Sequence, residues 1–149
     1  MQLPRFIWRW LHFAQATYTR NPDAPMGRVV LLLTTTGRKS GLPRVTPLQY
    51  EEQDGVIYVA SARGAQADWY RNLVACPHVK VRIGRQCLEG LAEPITDVQR
   101  IADFLELRLK RHPQMIGAMM WAEGLSRSPS RPQLEQYARR IALVAINRG

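Results

Sequence analysis

The stretch LLLTTTGRKSGLPRVTPLQY, residues 31–50, decides how the rest of the chain is read. It opens as an apolar run and spends its middle on two glycines, a row of hydroxyls and the cations Arg38, Lys39 and Arg44. It then turns strand-like again. Residues 29–35 therefore read as one strand and 44–50 as the next, joined by a basic turn. Asp54-Gly55 supplies a glycine-containing hairpin turn into a third strand at 56–60. The segment VKVRIGRQCLEGLAE, 79–93, repeats the device: Val79, Val81 and Ile83 alternate with Lys80 and Arg82, and Gly84-Arg85 suits a two-residue turn. Between the hairpins, ADWYRNLVACP reads as a short helix ended by Pro77. Hairpin-linked strands interrupted once by a helix predict a small antiparallel barrel rather than βαβ units.

On the N-terminal side, RFIWRWLHFAQATYTRN places Phe6, Ile7, Trp10, Leu11, Phe13, Ala14 and Tyr18 on one wide helical face. Trp8 falls on the polar side with Arg5 and Arg9. Two readings stay open for this helix: packing on the domain, or lying at a membrane interface, where indoles and basic side chains sit at headgroup level. On the C-terminal side, Thr96 with Gln99 predicts a capping box. Ile101, Phe104, Leu105 and Leu109 then form the buried stripe of a helix running to about His112. Pro113 suits the first turn of a methionine-rich helix that ends at Gly124. A polar loop, a short helix at 133–139 and a buried strand at 141–147 complete the chain. The expected fold is α+β in one domain: an N-terminal helix at 1–22, a barrel core at 29–96, a helical lid at 97–139 and a closing strand at 141–147.

A chain of 149 residues is long enough for one domain with a genuine core. Its 21 Lys and Arg against 12 Asp and Glu give a formal charge of +9, which calls for a polyanionic partner: nucleic acid, an anionic membrane surface, or a phosphorylated or polycarboxylate small molecule. Nucleic acid is the weakest of these, because the aromatic residues sit mainly in helices rather than interleaved with cations on a strand face. Cys76 and Cys87 read as reduced, buried thiols, and His12, His78 and His112 are scattered without metal-ligand spacing. No apolar run approaches the roughly 20 residues of a spanning helix, and no signal peptide is recognisable. The expectation is a cytoplasmic protein, with contact at the inner face of the membrane through the N-terminal helix as its alternative form.

The turn TTTGRKSG ends like a P-loop but lacks the G-x-x-x-x-G-K-[ST] spacing. Its glycines permit close backbone approach, its hydroxyls donate and its cations add charge, so it reads either as an anion cradle or as a solvated hairpin tip.

LLLTTTGRKSGLPRVTPLQY, followed by DGVIYVASARG and WYRNLVACPHVKVRIG, resembles the signature of the deazaflavin-dependent nitroreductase and quinone reductase family, relatives of the flavin-binding split barrels. The resemblance covers 31–84 and implies a split β-barrel binding coenzyme F420, a deazaflavin with a phosphate and a glutamate tail. It implies that Arg38, Lys39 and Ser40, with Arg44 nearby, meet that anionic end, and that Val45, Thr46, Pro47, Leu48 and Gln49 run beside the ring. Val59, Ala60, Ser61 and Ala62 would line the other side, and Asp68, Trp69, Tyr70 and Asn72 would close the pocket, with core packing the competing role for Trp69 and Tyr70. Arg63 stands where the family has a lysine, and the loop to Trp69 is short. Met115, Met119, Met120 and Trp121 occupy the segment where relatives carry a tyrosine-rich cover, so a lid at Met115, Met119 and Trp121 would suit an apolar acceptor, with plain core packing the competing role for a methionine-rich helix. The implied reaction is hydride transfer to a small electron-poor acceptor such as a quinone or nitro compound. No catalytic acid is identified; Ser61, Tyr50 and Tyr70 are candidates by chemistry alone. Flavin mononucleotide on the same barrel, or non-catalytic binding of the cofactor or a lipid, are the alternatives.

Overall fold

The computed structural model describes residues 30–148; the expected helix at 1–22 lies outside them. Six strands, β1 (Val30–Thr36), β2 (Pro43–Gln53), β3 (Val56–Ser61), β4 (His78–Ile83), β5 (Gln86–Ile95) and β6 (Ala142–Arg148), close into an antiparallel barrel. Their order around it is β1-β2-β3-β6-β5-β4. The hairpin turns form where the sequence places them. Asp54 and Gly55 both take positive φ, 52° and 80°, as a type I′ turn requires, and Gly84 has φ 59°.

Alternation along the strands sorts side chains to two cores. Leu31, Leu33, Ile57, Val59, Val81 and Val144 fill the barrel, joined by Trp69 and Leu73 from α1 (Asp68–Ala75), which plugs one end. The opposite face of β3 and β6, through Tyr58, Ala60, Leu143 and Ala145, meets a second core built by α2 (Val98–Arg111), α3 (Pro113–Ala122) and α4 (Arg131–Ala138). No helix among the described residues is long and apolar enough to cross a membrane.

Three local expectations change. Asp97, not Thr96, caps α2: its carboxylate accepts the N–H groups of Gln99 and Arg100 at 2.8 and 3.3 Å, serving two orphan donors with one charged group. The last helix starts at Arg131 rather than 133, because Gln133 Oε1 reaches back to accept the Ser130 N–H at 3.0 Å. Cys87 is exposed and Cys76 half-buried, since Cys87 falls on the outward face of β5 while its neighbour Leu88 packs against the barrel core.

Candidate functional site

The turn between β1 and β2 is tight. Gly37 N–H donates to the Leu42 carbonyl and Gly41 N–H to the Gly37 carbonyl, both at 2.8 Å, and Ser40 Oγ accepts the Leu42 N–H at 3.2 Å. A Cβ at Gly37 would lie 2.7 Å from Ser40 Oγ and 3.1 Å from the Leu42 carbonyl oxygen, so any side chain there would force the turn to give. The three cations of this region part company. Arg38 turns inward: its backbone N–H and its guanidinium both donate to Asn72 Oδ1, at 3.2 and 2.8 Å, and it pairs with Asp68 at 3.2 Å. Asn72, buried in α1, donates in turn from Nδ2 to Thr35 Oγ1 at 3.4 Å. Lys39 and Arg44 stay exposed, with no ion pair among the described residues.

Along β2, Val45, Pro47 and Gln49 point away from the barrel, and Thr46 and Leu48 alternate with them toward its interior, where Leu48 packs on the core. Pro47 sits opposite Leu32 on β1 and is buried. On β3, Val59 and Ser61 are buried, while Ala60 faces the helical layer and Ala62 is exposed beyond the strand end. Trp69 is a core residue with 8% exposure, and Tyr70 meets it edge-on with ring centroids 6.2 Å apart. The side chain of Asp68 is open to solvent. Val45, Pro47 and Gln49 thus form one outward strip along β2, Arg44 stands on the opposite parity where the strand leaves the turn, and Arg38, Asp68 and Asn72 anchor the turn to α1.

The methionine-rich helix divides. Met120 is buried and Met115 half-buried in the helical core, whereas Met119 and Trp121 are exposed, with the Arg127 guanidinium 5.5 Å above the Trp121 ring.

One cluster had no signature in the sequence. Glu51, two residues beyond Gln49 on the same face of β2, is 4% exposed, yet two arginines and a histidine converge on it. Arg108 Nε lies at 3.3 Å, Arg111 at 3.2 Å and His112 Nε2 at 2.9 Å. Arg108 also donates to Gln49 Oε1 at 3.0 Å. Burial pushes the Arg108 guanidinium below its ordinary value, and Glu51 opposes that shift. The run of basic residues at the end of α2 was visible, but that it converges on one buried carboxylate depends on how α2 lies against β2.

An open cleft of about 410 Å³ lies elsewhere, over Tyr58, Ile95 and Leu143 and beneath Arg100, Phe104 and Lys110 of α2. It contains none of the turn residues and none of Val45, Pro47 or Gln49, although Gln53 at the far end of β2 lines its edge. The described residues contain no group of three or more His, Cys, Asp or Glu arranged to hold a metal ion.

The donor set here suits a phosphate or carboxylate tail: two uncommitted cations of different geometry beside a glycine turn. The F420H(2)-dependent quinone reductase family matches residues 11–122, well over half of the chain. An F420H(2)-dependent quinone reductase of Mycobacterium tuberculosis is 39% identical over 79 residues, 51% of each chain. The chain thus spans about half the length of the curated relatives it matches. Among solved structures, an F420-H2 dependent reductase is similar at TM-score 0.56 and 26% identity, covering 80% of this chain and 95% of its own. HutZ, a heme storage protein from Vibrio cholerae, shares the fold at TM-score 0.58 and 15% identity, over 91% and 90% of the two chains. By sequence and fold together, the chain belongs to the F420H(2)-dependent quinone reductase family.

Proposed function

We propose that this protein is a reductase that uses coenzyme F420 to reduce an apolar, electron-poor acceptor of the quinone or nitro type. The observation that carries the reading is the division of labour in the turn. Arg38 is consumed in holding the loop to α1, while Lys39 and Arg44 stay exposed with no ion pair among the described residues. A hairpin tip that served only solubility would have no use for a buried asparagine pinned beneath it. A tip that must hold two cations in register for an anionic ligand does.

The bound deazaflavin supplies the hydride. The chain's part is binding and orientation. Lys39 acts as a point charge and Arg44 as a fork on the anionic end. Pro47 has no N–H, so β2 offers no orphan donor at that point of the strip. Met119 and Trp121 provide exposed apolar surface at the end of α3 where an acceptor of low polarity can rest. An apolar acceptor is also what the basic, aromatic N-terminal segment would meet at a membrane surface.

The test is a fluorescence titration of the protein with oxidised coenzyme F420 and, in parallel, flavin mononucleotide, at low and high salt. The expected result is preferential deazaflavin binding that weakens with salt, followed by turnover of a soluble quinone by the reduced cofactor. Lys39→Ala with Arg44→Ala should raise the Kd more than roughly tenfold, the loss expected for two charge-assisted contacts. Equal affinity in the double variant would remove the turn from the site, and preference for the flavin would assign the barrel to that cofactor instead.

A further inference from the structure

We infer that Gln49 is a hydrogen-bond donor to a conjugated carbonyl oxygen bound in the β2 strip, and that Arg108 is the positioning residue that holds its amide in the donating orientation. This rests on the cofactor-dependent reading above and goes beyond it by naming a polar contact and the device that sets it.

The oxygen end of the Gln49 amide faces α2. Arginine has five donors and no acceptor, so the Gln49 atom 3.0 Å from the Arg108 guanidinium must be the oxygen. The chemistry of the partner thereby settles the flip, which for an amide is otherwise a matter of inference. Gln49 Nε2 then points away from Arg108, and it has no hydrogen-bond partner among the described residues. Gln49 is only partly buried and shares its face of β2 with Val45 and Pro47, so this N–H pair is presented to the strip. A cation on the oxygen also draws electron density from the amide, which makes its N–H a stronger donor.

Arg108 itself cannot drift. Its side chain is about one-tenth exposed and its Nε bonds to Glu51, a carboxylate that Arg111 and His112 hold from the next turn. The chain of contacts Gln49–Arg108–Glu51 thus ties the orientation of a strip side chain to the corner between α2 and α3. A glutamine in the strip without such a clamp would rotate freely and present oxygen as readily as nitrogen. Both ring systems that the proposed reaction brings together, the deazaflavin and a quinone, carry conjugated carbonyls, so the donor has two acceptors open to it and the measurement separates them.

The experiment uses the full-length chain and the variants Gln49→Met, Arg108→Lys and the double variant. It reads the Kd for oxidised coenzyme F420 by fluorescence, kcat and KM for a soluble quinone, and Tm. Loss of one polarised hydrogen bond predicts a three- to tenfold effect, about the factor expected for a single such contact. It falls on the cofactor Kd if the ring carbonyl is the partner, or on the quinone terms with Kd unchanged if the acceptor is. Lysine lacks the fork that reaches Gln49 and Glu51 from two separate nitrogens, so Arg108→Lys should reproduce the same functional loss, and the double variant should be no worse than either single one. Multiplying effects in the double variant would overturn the positioning role, which a merely structural arginine would not satisfy. Should Arg108→Lys fail to fold, Gln49→Glu takes its place: it keeps the guanidinium partner but removes the donor, and at high salt it should fall with Gln49→Met. Wild-type Kd, kcat and KM in Gln49→Met overturn the inference alone. A wild-type protein that binds no deazaflavin overturns the functional reading beneath it.

Discussion

At the scale of single residues, Asn72 shows what the candidate site rests on. Its side chain accepts twice from Arg38 and donates to Thr35, and at 4% exposure it holds its own end of those bonds away from water. Removing it leaves the Arg38 backbone N–H and part of its guanidinium without a partner where solvent enters poorly. Asn72→Ala should therefore cost about 1–3 kcal/mol of stability and weaken anion binding by the turn even though Asn72 touches no anion. Asp68→Asn removes the other partner of Arg38, but that carboxylate is exposed, and a surface pair is worth at most about 1 kcal/mol. Urea unfolding of the two variants beside their deazaflavin affinities checks this; equal behaviour would mean that burial does not set the value of the anchor. The sequence shows Arg38, Lys39 and Arg44 as three equivalent cations in one turn. What separates them is a residue 34 positions away, and a tertiary contact of that span leaves no local pattern.

At the scale of elements, the joint between β2 and the α2–α3 corner is held by a buried carboxylate, whereas the ion pairs that Arg131 makes between α4 and α2 reach exposed carboxylates. Glu51 shares one small volume with Arg108, Arg111 and His112 and is the only carboxylate among them, so its loss leaves cations facing each other. Arg111 and His112 are each about a third exposed and can turn to water, whereas Arg108 cannot. Glu51→Gln should cost about 3–5 kcal/mol, the range for an uncompensated buried charge. A melting curve shifted by only a degree or two would show that Gln49 and the helix end suffice to hold Arg108. The helices themselves were legible: the apolar stripe of α2, Pro113 opening α3, and Gly124, with φ 90°, turning the chain after α3 all read directly from local chemistry. The error at the N-terminus of α2 has a local cause too. Thr96 and Asp97 are both good caps side by side, and the carboxylate, which takes two N–H groups at once, wins over the hydroxyl.

At the scale of the whole molecule, closure of the barrel is the feature that hairpin logic alone could not supply. The first three strands and the β4–β5 pair follow from turns, but β6 arrives from the end of the chain and inserts between β3 and β5. It pairs Ile57 with Ile146 on one side and Ala92 with Ile146 on the other, so one strand completes both ladders. The run 142–146 is wholly buried, with Val144 and Ile146 in the barrel and Leu143 and Ala145 in the helical core, which explains why it reads as continuously apolar rather than alternating. Burying Leu143, Val144 and Ile146 contributes about 1.5–3 kcal/mol each. That sum is comparable to the entire stability of a typical domain, about 5–15 kcal/mol. A chain ending at residue 140 would lose it and expose two strand edges, β3 and β5, to water and to other chains. Such a chain should show no cooperative thermal transition, lose the near-ultraviolet signal of its packed aromatic residues, and aggregate at concentrations where the full chain is soluble. It should also lose deazaflavin binding, although β6 contributes no residue to the strip, because β2 and β3 hold their positions only in a closed barrel. A truncated chain that melted cooperatively within a few degrees of the full one would show that the five remaining strands and the helical layer form a stable unit, and closure would then have to be explained by something other than stability.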